Sequence, residues 1–156
     1  NKLGVFVART MDWPESTEPV LTVFPRGMAR HGGKVGAEVV VKDNPAKWTS
    51  KYGSMVITIY GIGMVDGFNE KKLGVHMLYL SATDYGPRNK ARPAVHAGLW
   101  GQYLLDNCAT VKEALEAIKE IQVVMAEARG HKANLHLAME DASGDSAVVE
   151  LVAGKP

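Results

Sequence analysis

One cysteine, Cys108, is all the thiol that the 156 residues carry, which excludes an internal disulfide framework and leaves the redox compartment open. Charge of either sign is also short: 18 basic against 17 acidic residues leave a net +1. No basic run, and no interleaving of basic with aromatic residues, supplies locally what the total lacks, so nucleic acid is not an expected partner. Long apolar runs are missing too. Nothing approaches the roughly 20 residues that cross a bilayer as a helix, so no membrane span is expected. No charged-then-apolar leader precedes Asn1, and any address signal, periplasmic or cytoplasmic, would lie upstream. The histidines, His31, His76, His96, His131 and His136, include no H-x-x-x-H pair and no Cys/His cluster, so no metal ligand set is visible. There is no G-x-S-x-G elbow for an ordinary serine hydrolase. Gly61-Ile62-Gly63 with Gly67 sets the third glycine of a dinucleotide fingerprint one place late and leads into a strand, which makes a turn the better reading.

What is present is a 46% apolar chain, enough to fill the core of one ordinary domain. Leu3 to Trp13 is its most informative stretch. The near-continuous apolar run suits a strand buried on both faces, and it ends on Arg9 and Asp12, which need a partner or a ligand there. On spacing alone, a structural ion pair at the strand exit and the floor of a site are both open. Val20 to Phe24, Ala37 to Val41 and the stretch from Trp48 to Tyr60 continue the β pattern, each closed by proline, glycine or asparagine. Gly74 to Ser81 follows as a strand with Val75, Met77 and Tyr79 on one face and His76, Leu78 and Leu80 on the other.

After Thr83 to Pro93, a polar loop, the period changes. Leu99, Trp100, Tyr103, Leu104 and Asn107 form one stripe of a helix over about 94–107. Thr110-Val111-Lys112-Glu113 is a capping box that opens a second helix, with Val111, Leu115 and Ile118 inward. Cys108, between the two, reads more readily as a small buried hydrophobe than as a thiolate activated by a helix N-terminus. Ile121 to Met125, Leu135 to Met139 and Ser146 to Val152 return to strand, with Glu140 and Asp141 read as solvated turn residues. Strands, two helices and strands again give an α+β fold with an antiparallel sheet.

Two segments carry a resemblance. Ala8-Arg9-Thr10-Met11-Asp12-Trp13 resembles the Arg-x-Met-Asp-Trp segment of the choloylglycine hydrolase family, which includes the bile salt hydrolases and penicillin V acylases. Gly67-Phe68-Asn69-Glu70-Lys71-Lys72-Leu73 resembles the same family's Gly-x-Asn-Glu-x-x-Leu turn, which precedes a strand lining the site. The resemblance implies an αββα N-terminal-nucleophile hydrolase of linear amide C–N bonds, of which residues 1–156 would be the N-terminal part of a single domain. It implies a small-molecule amide substrate, closer to that of penicillin V or acyl-homoserine-lactone acylases than to a bile salt. It further implies a homo-oligomer in the intact protein and no cofactor.

The family nucleophile is an N-terminal cysteine whose own α-amine, with an ordinary pKa of ~8, serves as general base. This chain has Asn1 and no cysteine there, so the nucleophile would lie upstream and the 156 residues alone would be inactive. By the same resemblance Arg9 would favour the thiolate, Asp12 would orient the amine, and Tyr79 would offer its backbone N–H to the oxyanion, where bile salt hydrolases tend to carry asparagine. A sheet tyrosine packed for its area is the plain alternative. The family's later asparagine and arginine fall beyond Pro156, and the chain stops on a turn, Ala153-Gly154-Lys155-Pro156. Two other classes stay open: a binding protein on the same scaffold with the nucleophile lost, and a self-association domain pairing through sheet edges.

Overall fold

The computed structural model describes residues 4–61, 63–128 and 130–156. In chain order the elements are β1 (Val20–Phe24), β2 (Ala29–His31), β3 (Lys34–Val35), β4 (Glu38–Val39), β5 (Lys47–Thr49), β6 (Ser54–Ile59), β7 (Gly63–Asn69), β8 (Gly74–Tyr79) and β9 (Ala94–His96). Helices α1 (Ala97–Asn107) and α2 (Val111–Glu120) follow, then β10 (Gln122–Val124), β11 (Glu127–Ala128), β12 (His131–Lys132), β13 (Leu135–Glu140) and β14 (Ser146–Val149). Six strands, in the order β1-β6-β7-β8-β13-β14, form one sheet, antiparallel throughout. The helices lie together on one face of it. This is the expected α+β segregation, with one sheet and one helical layer of the sandwich.

Strand alternation selects that face. Val75 stands opposite Met139 and Met77 opposite Leu137, and all four are buried, as are Val56 and Met64 on neighbouring strands. Over them lie Trp100, Leu104 and Leu105 of α1, each 0% exposed and each contributing ~1.5–3 kcal/mol by leaving water. Gly101 sets how close the helix comes, since a Cβ there would sit 2.5 Å from the Met64 sulfur. The second helix starts as its capping box predicts: Thr110 Oγ1 accepts from the Glu113 N–H at 3.2 Å. The reciprocal bond reaches one residue further out, from the Ala109 N–H to Glu113 Oε2 at 2.7 Å. Its buried stripe is Val111, Ala114 and Ile118, because Leu115, at the edge of the stripe, stays 37% exposed.

Asn69 ties the sheet to the helices. It is buried, its Nδ2 donates to the carbonyls of Leu105 and Cys108, and its Oδ1 accepts from the N–H groups of Lys71 and Leu73. Glu70 beside it accepts from the Gly53 N–H and from Arg26, and those bonds bring its carboxyl down to about 2. Asp106, by contrast, is a buried carboxylate and receives Trp48 Nε1 at 2.7 Å, Gln102 Nε2 at 2.8 Å and Arg30 Nε at 3.2 Å. It docks the antiparallel β2–β5 pair onto α1. Burial is the largest influence on that carboxyl and raises its pKa against the pull of its partners.

Beyond Leu115, four further sequence expectations need correction. Residues 4–13 form no strand and are mostly exposed; Val5, Phe6 and Val7 are 46%, 74% and 48% exposed. An apolar run marks affinity for a surface, not the presence of a hydrogen-bonding neighbour, and here Val5 and Val7 share a groove with Ile57, Phe68 and His76 on the sheet face away from the helices. Leu3 lies outside the described residues. Within Ala37–Val41 only Glu38–Val39 pairs, with Lys34–Val35. Ala94–His96 is a strand that pairs in parallel with Gln122–Val124, so α1 begins at Ala97. Glu140 and Asp141 are not solvated turn residues: Glu140 ends β13 and bonds His76, and Asp141 accepts from the Val111 N–H at the start of α2. Among the described residues no helix is long and apolar enough to cross a membrane.

Candidate active site

A seam in the sheet makes the site. β8 pairs with β13 along its whole length, from Gly74 to Tyr79, but with β7 only as far as the Asp66↔His76 pair. The register of β7 against β6 shifts between Ile57 and Thr58, a bulge that bends β7 away from its other neighbour. Beyond His76 the two strands part, and a cavity of about 310 Å³ opens between them. Its walls are chiefly apolar: Met64 and Val65 from β7, Met77 from β8, Ala133 and Leu135.

All three residues singled out in the sequence line this cavity. Arg9, Asp12 and Tyr79 meet there although Tyr79 is distant in the chain from the other two. Arg9 does not pair with Asp12. Its Nη2 donates to the Met77 carbonyl at 2.5 Å and its Nε stands 3.2 Å from Asp66 Oδ1, so the guanidinium occupies the place that a β7 backbone donor would otherwise fill. Asp12 sits at the exposed rim. Tyr79 is 54% exposed, and its ring tilts toward Trp13 with centroids 5.9 Å apart. Trp13 in turn donates Nε1 to the Tyr60 hydroxyl at 2.7 Å.

The direction of the Tyr79 N–H follows from its neighbours. Main-chain groups alternate sides along an antiparallel strand. The Met77 carbonyl meets Arg9 on one side, and the Leu80 N–H donates to the Asn134 carbonyl on the other. Tyr79 shares the parity of Met77, so its N–H points across the seam.

Sequence reasoning missed several groups at this place. Asp66 and His76 carry no local motif, since each acquires its partner from another strand. His96 is almost wholly buried against the cavity, and its Nε2 donates to the Lys34 carbonyl at 2.8 Å. Burial lowers its pKa, so it is held as the neutral ring with Nδ1 as an acceptor. No local motif marked it, because the spacing ran the helix through it, over about 94–107. Cys108, by contrast, is 3% exposed with its thiol pushed up to about 12 by burial, which makes it core. Among the described residues no group of three or more His, Cys, Asp or Glu could hold a metal.

Comparison with known proteins gives this geometry a context. A family model described as linear amide C–N hydrolases, choloylglycine hydrolase family, matches residues 1–155. A penicillin V acylase of Pectobacterium atrosepticum is 36% identical over 160 residues, which take in 95% of this chain and 40% of that protein. The structure of penicillin V acylase from Agrobacterium tumefaciens superposes with a TM-score of 0.79 at 40% identity, over 94% of this chain and 43% of the other. A mutant conjugated bile acid hydrolase from Clostridium perfringens superposes with a TM-score of 0.74 at 25% identity, over 93% and 44%. The chain thus spans less than half the length of these relatives.

Proposed function

Because the chain belongs to the choloylglycine hydrolase family, we propose that it forms the N-terminal part of an amide hydrolase domain that cleaves an acyl group from a small amine, in the manner of a penicillin V or acyl-homoserine-lactone acylase. The observation that supports this most is the gathering of Arg9, Asp12 and Tyr79 at one apolar cavity, with a backbone N–H aimed across it. Bile salts are the less suitable alternative, since an aromatic rim of Tyr79 and Trp13 fits an aryl or aliphatic acyl chain better than a hydroxylated steroid.

In this reading the nucleophile is a cysteine upstream of Asn1. Its thiolate attacks the amide carbon, the α-amine takes the thiol proton and passes it to the leaving amine, and water then hydrolyses the thioester. Arg9 supplies the cation that favours the thiolate. Asp12 orients the protonated amine, and the Tyr79 N–H stabilises the tetrahedral oxyanion. A short strand returning beside Arg9 and Asp12 at ~3.3 Å per residue places the cysteine about six to ten residues before Asn1.

The test is the mass and N-terminal sequence of the protein as its gene encodes it, with its hydrolysis of penicillin V. A cysteine at the mature N-terminus with turnover supports the proposal. Another residue throughout that window, with binding but no turnover, would make the protein a binder on the same scaffold.

A further inference from the structure

Behind Arg9 a line of charges crosses three strands on the sheet face away from the helices. Arg9 Nε stands 3.2 Å from Asp66 Oδ1 on β7, the same oxygen lies 2.8 Å from His76 Nδ1 on β8, and His76 Nε2 lies 3.0 and 3.1 Å from the two oxygens of Glu140 on β13. The side chains are only 16–26% exposed. Carboxylates only accept, so an imidazole held at hydrogen-bond distance between two of them must donate from both nitrogens, which makes it imidazolium. The signs then alternate from Arg9 to Glu140 and sum to zero. Those contacts also raise the His76 pKa, the bond to Asp66 most, against the opposing effect of burial.

Gly74 shows that the arrangement is fitted. It stands opposite Glu140 in the ladder, and a Cβ there would come within 2.0 Å of Glu140 Oε1. The carboxylate lies over bare backbone to reach His76. The other charged groups bordering the same groove are Lys72 and Asp141, and Asp141 is engaged with the Val111 N–H and with Ser143.

We propose that Asp66, His76 and Glu140 are positioning residues for the proposed site, a relay that holds the Arg9 guanidinium at the seam while His76 carries its proton and releases it when that proton leaves. Neutral His76 can donate to only one carboxylate. If it keeps Glu140, its Nδ1 lone pair faces Asp66, which swings away and takes Arg9 with it; if it keeps Asp66, Glu140 is left facing a lone pair. The inference rests on the assignment of Arg9 to the active site, but the relay itself is a property of four side chains and can be read without turnover.

The experiment follows His76 and the Arg9 Nε–H by NMR through a pH titration of the protein as encoded, alongside kcat and KM for penicillin V. His76 should titrate above its ordinary value of 6.5, and the Arg9 resonance should move with the same midpoint. Asp66→Asn should lower that midpoint and uncouple Arg9. Gly74→Ala, which displaces Glu140 while keeping every ionisable group, should lower it less, and this variant keeps the test open should Asp66→Asn fail to fold. In turnover, kcat/KM should fall about a hundredfold in Asp66→Asn, a cost typical of a misplaced catalytic group, with kcat affected more than KM. The limb of the pH profile that coincides with the His76 midpoint should vanish in His76→Gln. An Arg9 resonance indifferent to the His76 titration overturns the relay whatever the activity. Coupled resonances in a protein that hydrolyses nothing uphold the relay and refute the proposed function instead.

Discussion

The side-chain amide of Asn69 donates to the carbonyl of Cys108 at 2.7 Å across 39 positions of sequence. It meets the end of α1 at the same time, through the Leu105 carbonyl, while its oxygen closes the turn into β8. The asparagine of the family-like turn therefore holds the strand that carries Tyr79 at a fixed height against the helices. It does so from outside the cavity.

Asn69→Ala should therefore lower stability without a specific effect on chemistry. Two carbonyls and two N–H groups would lose their partner in a buried place, a loss of ~2–4 kcal/mol. The urea midpoint measures it, and activity per folded molecule should stay near the parent's.

Arg9 and Asp12 should behave in the opposite way. In the protein with its nucleophile, Arg9→Leu and Asp12→Asn should each cut hydrolysis about a hundredfold or more per folded molecule, the scale of a lost acid–base or positioning partner. Asp12 is exposed at the rim, so its replacement should leave the urea midpoint almost unchanged. A loss of stability with activity per folded molecule intact would assign both to structure.

Tyr79→Asn exchanges a ring for an amide beside the acyl group while leaving the backbone N–H in place. Turnover should persist and the preference should move from penicillin V toward glycocholate, read as the ratio of kcat/KM for the two substrates. An unchanged ratio would remove the side chain from acyl selection.

Cys108 should be silent toward thiol reagents in the native fold at neutral pH. Its thiol is buried and raised to about 12, and the reactive species is the thiolate. Reaction with a chromogenic disulfide should appear only with unfolding in urea, and its rate should track the unfolded population.

Two histidines act on stability with opposite signs. The His76 pKa is raised above 6.5, so its contribution is complete below that value and is lost as pH rises through the raised one. His96, lowered by burial, contributes fully above 6.5 and loses it as pH falls toward its own lowered value. The stability difference between the parent and His76→Gln should therefore be largest in mild acid and shrink in base. Denaturant titrations on either side of 6.5 check this.

Local chemistry was legible in the sequence wherever the partners were close in the chain. The Thr110–Glu113 box, the strand over Gly74–Tyr79 and the helical stripe through Trp100 and Leu104 all follow from spacing. The resemblance brought Arg9, Asp12 and Tyr79 together before any cavity was in view. Illegible parts depend on pairing at long range. Ala94–His96 is a strand only because Gln122–Val124 lies beside it, and residues 4–13 stay irregular because apolarity alone supplies no ladder. His76 looks like an ordinary strand residue until Asp66 and Glu140 arrive from either side.

The parting of β7 from β8 also has a kinetic signature in amide hydrogen exchange. Val75 lies within the stretch where both ladders are intact, and exchange there requires a cooperative opening of the sheet. Tyr79 lies past the split, and its amide faces the seam, where solvent reaches it with no separation of strands. Deuterium should enter at Tyr79 orders of magnitude faster than at Val75 on the same strand, at a rate set by local openings of small free energy. A ligand whose carbonyl oxygen settles in the seam would close that gap. The exchange rate of a single amide then reports occupancy in a protein held inactive by any other means.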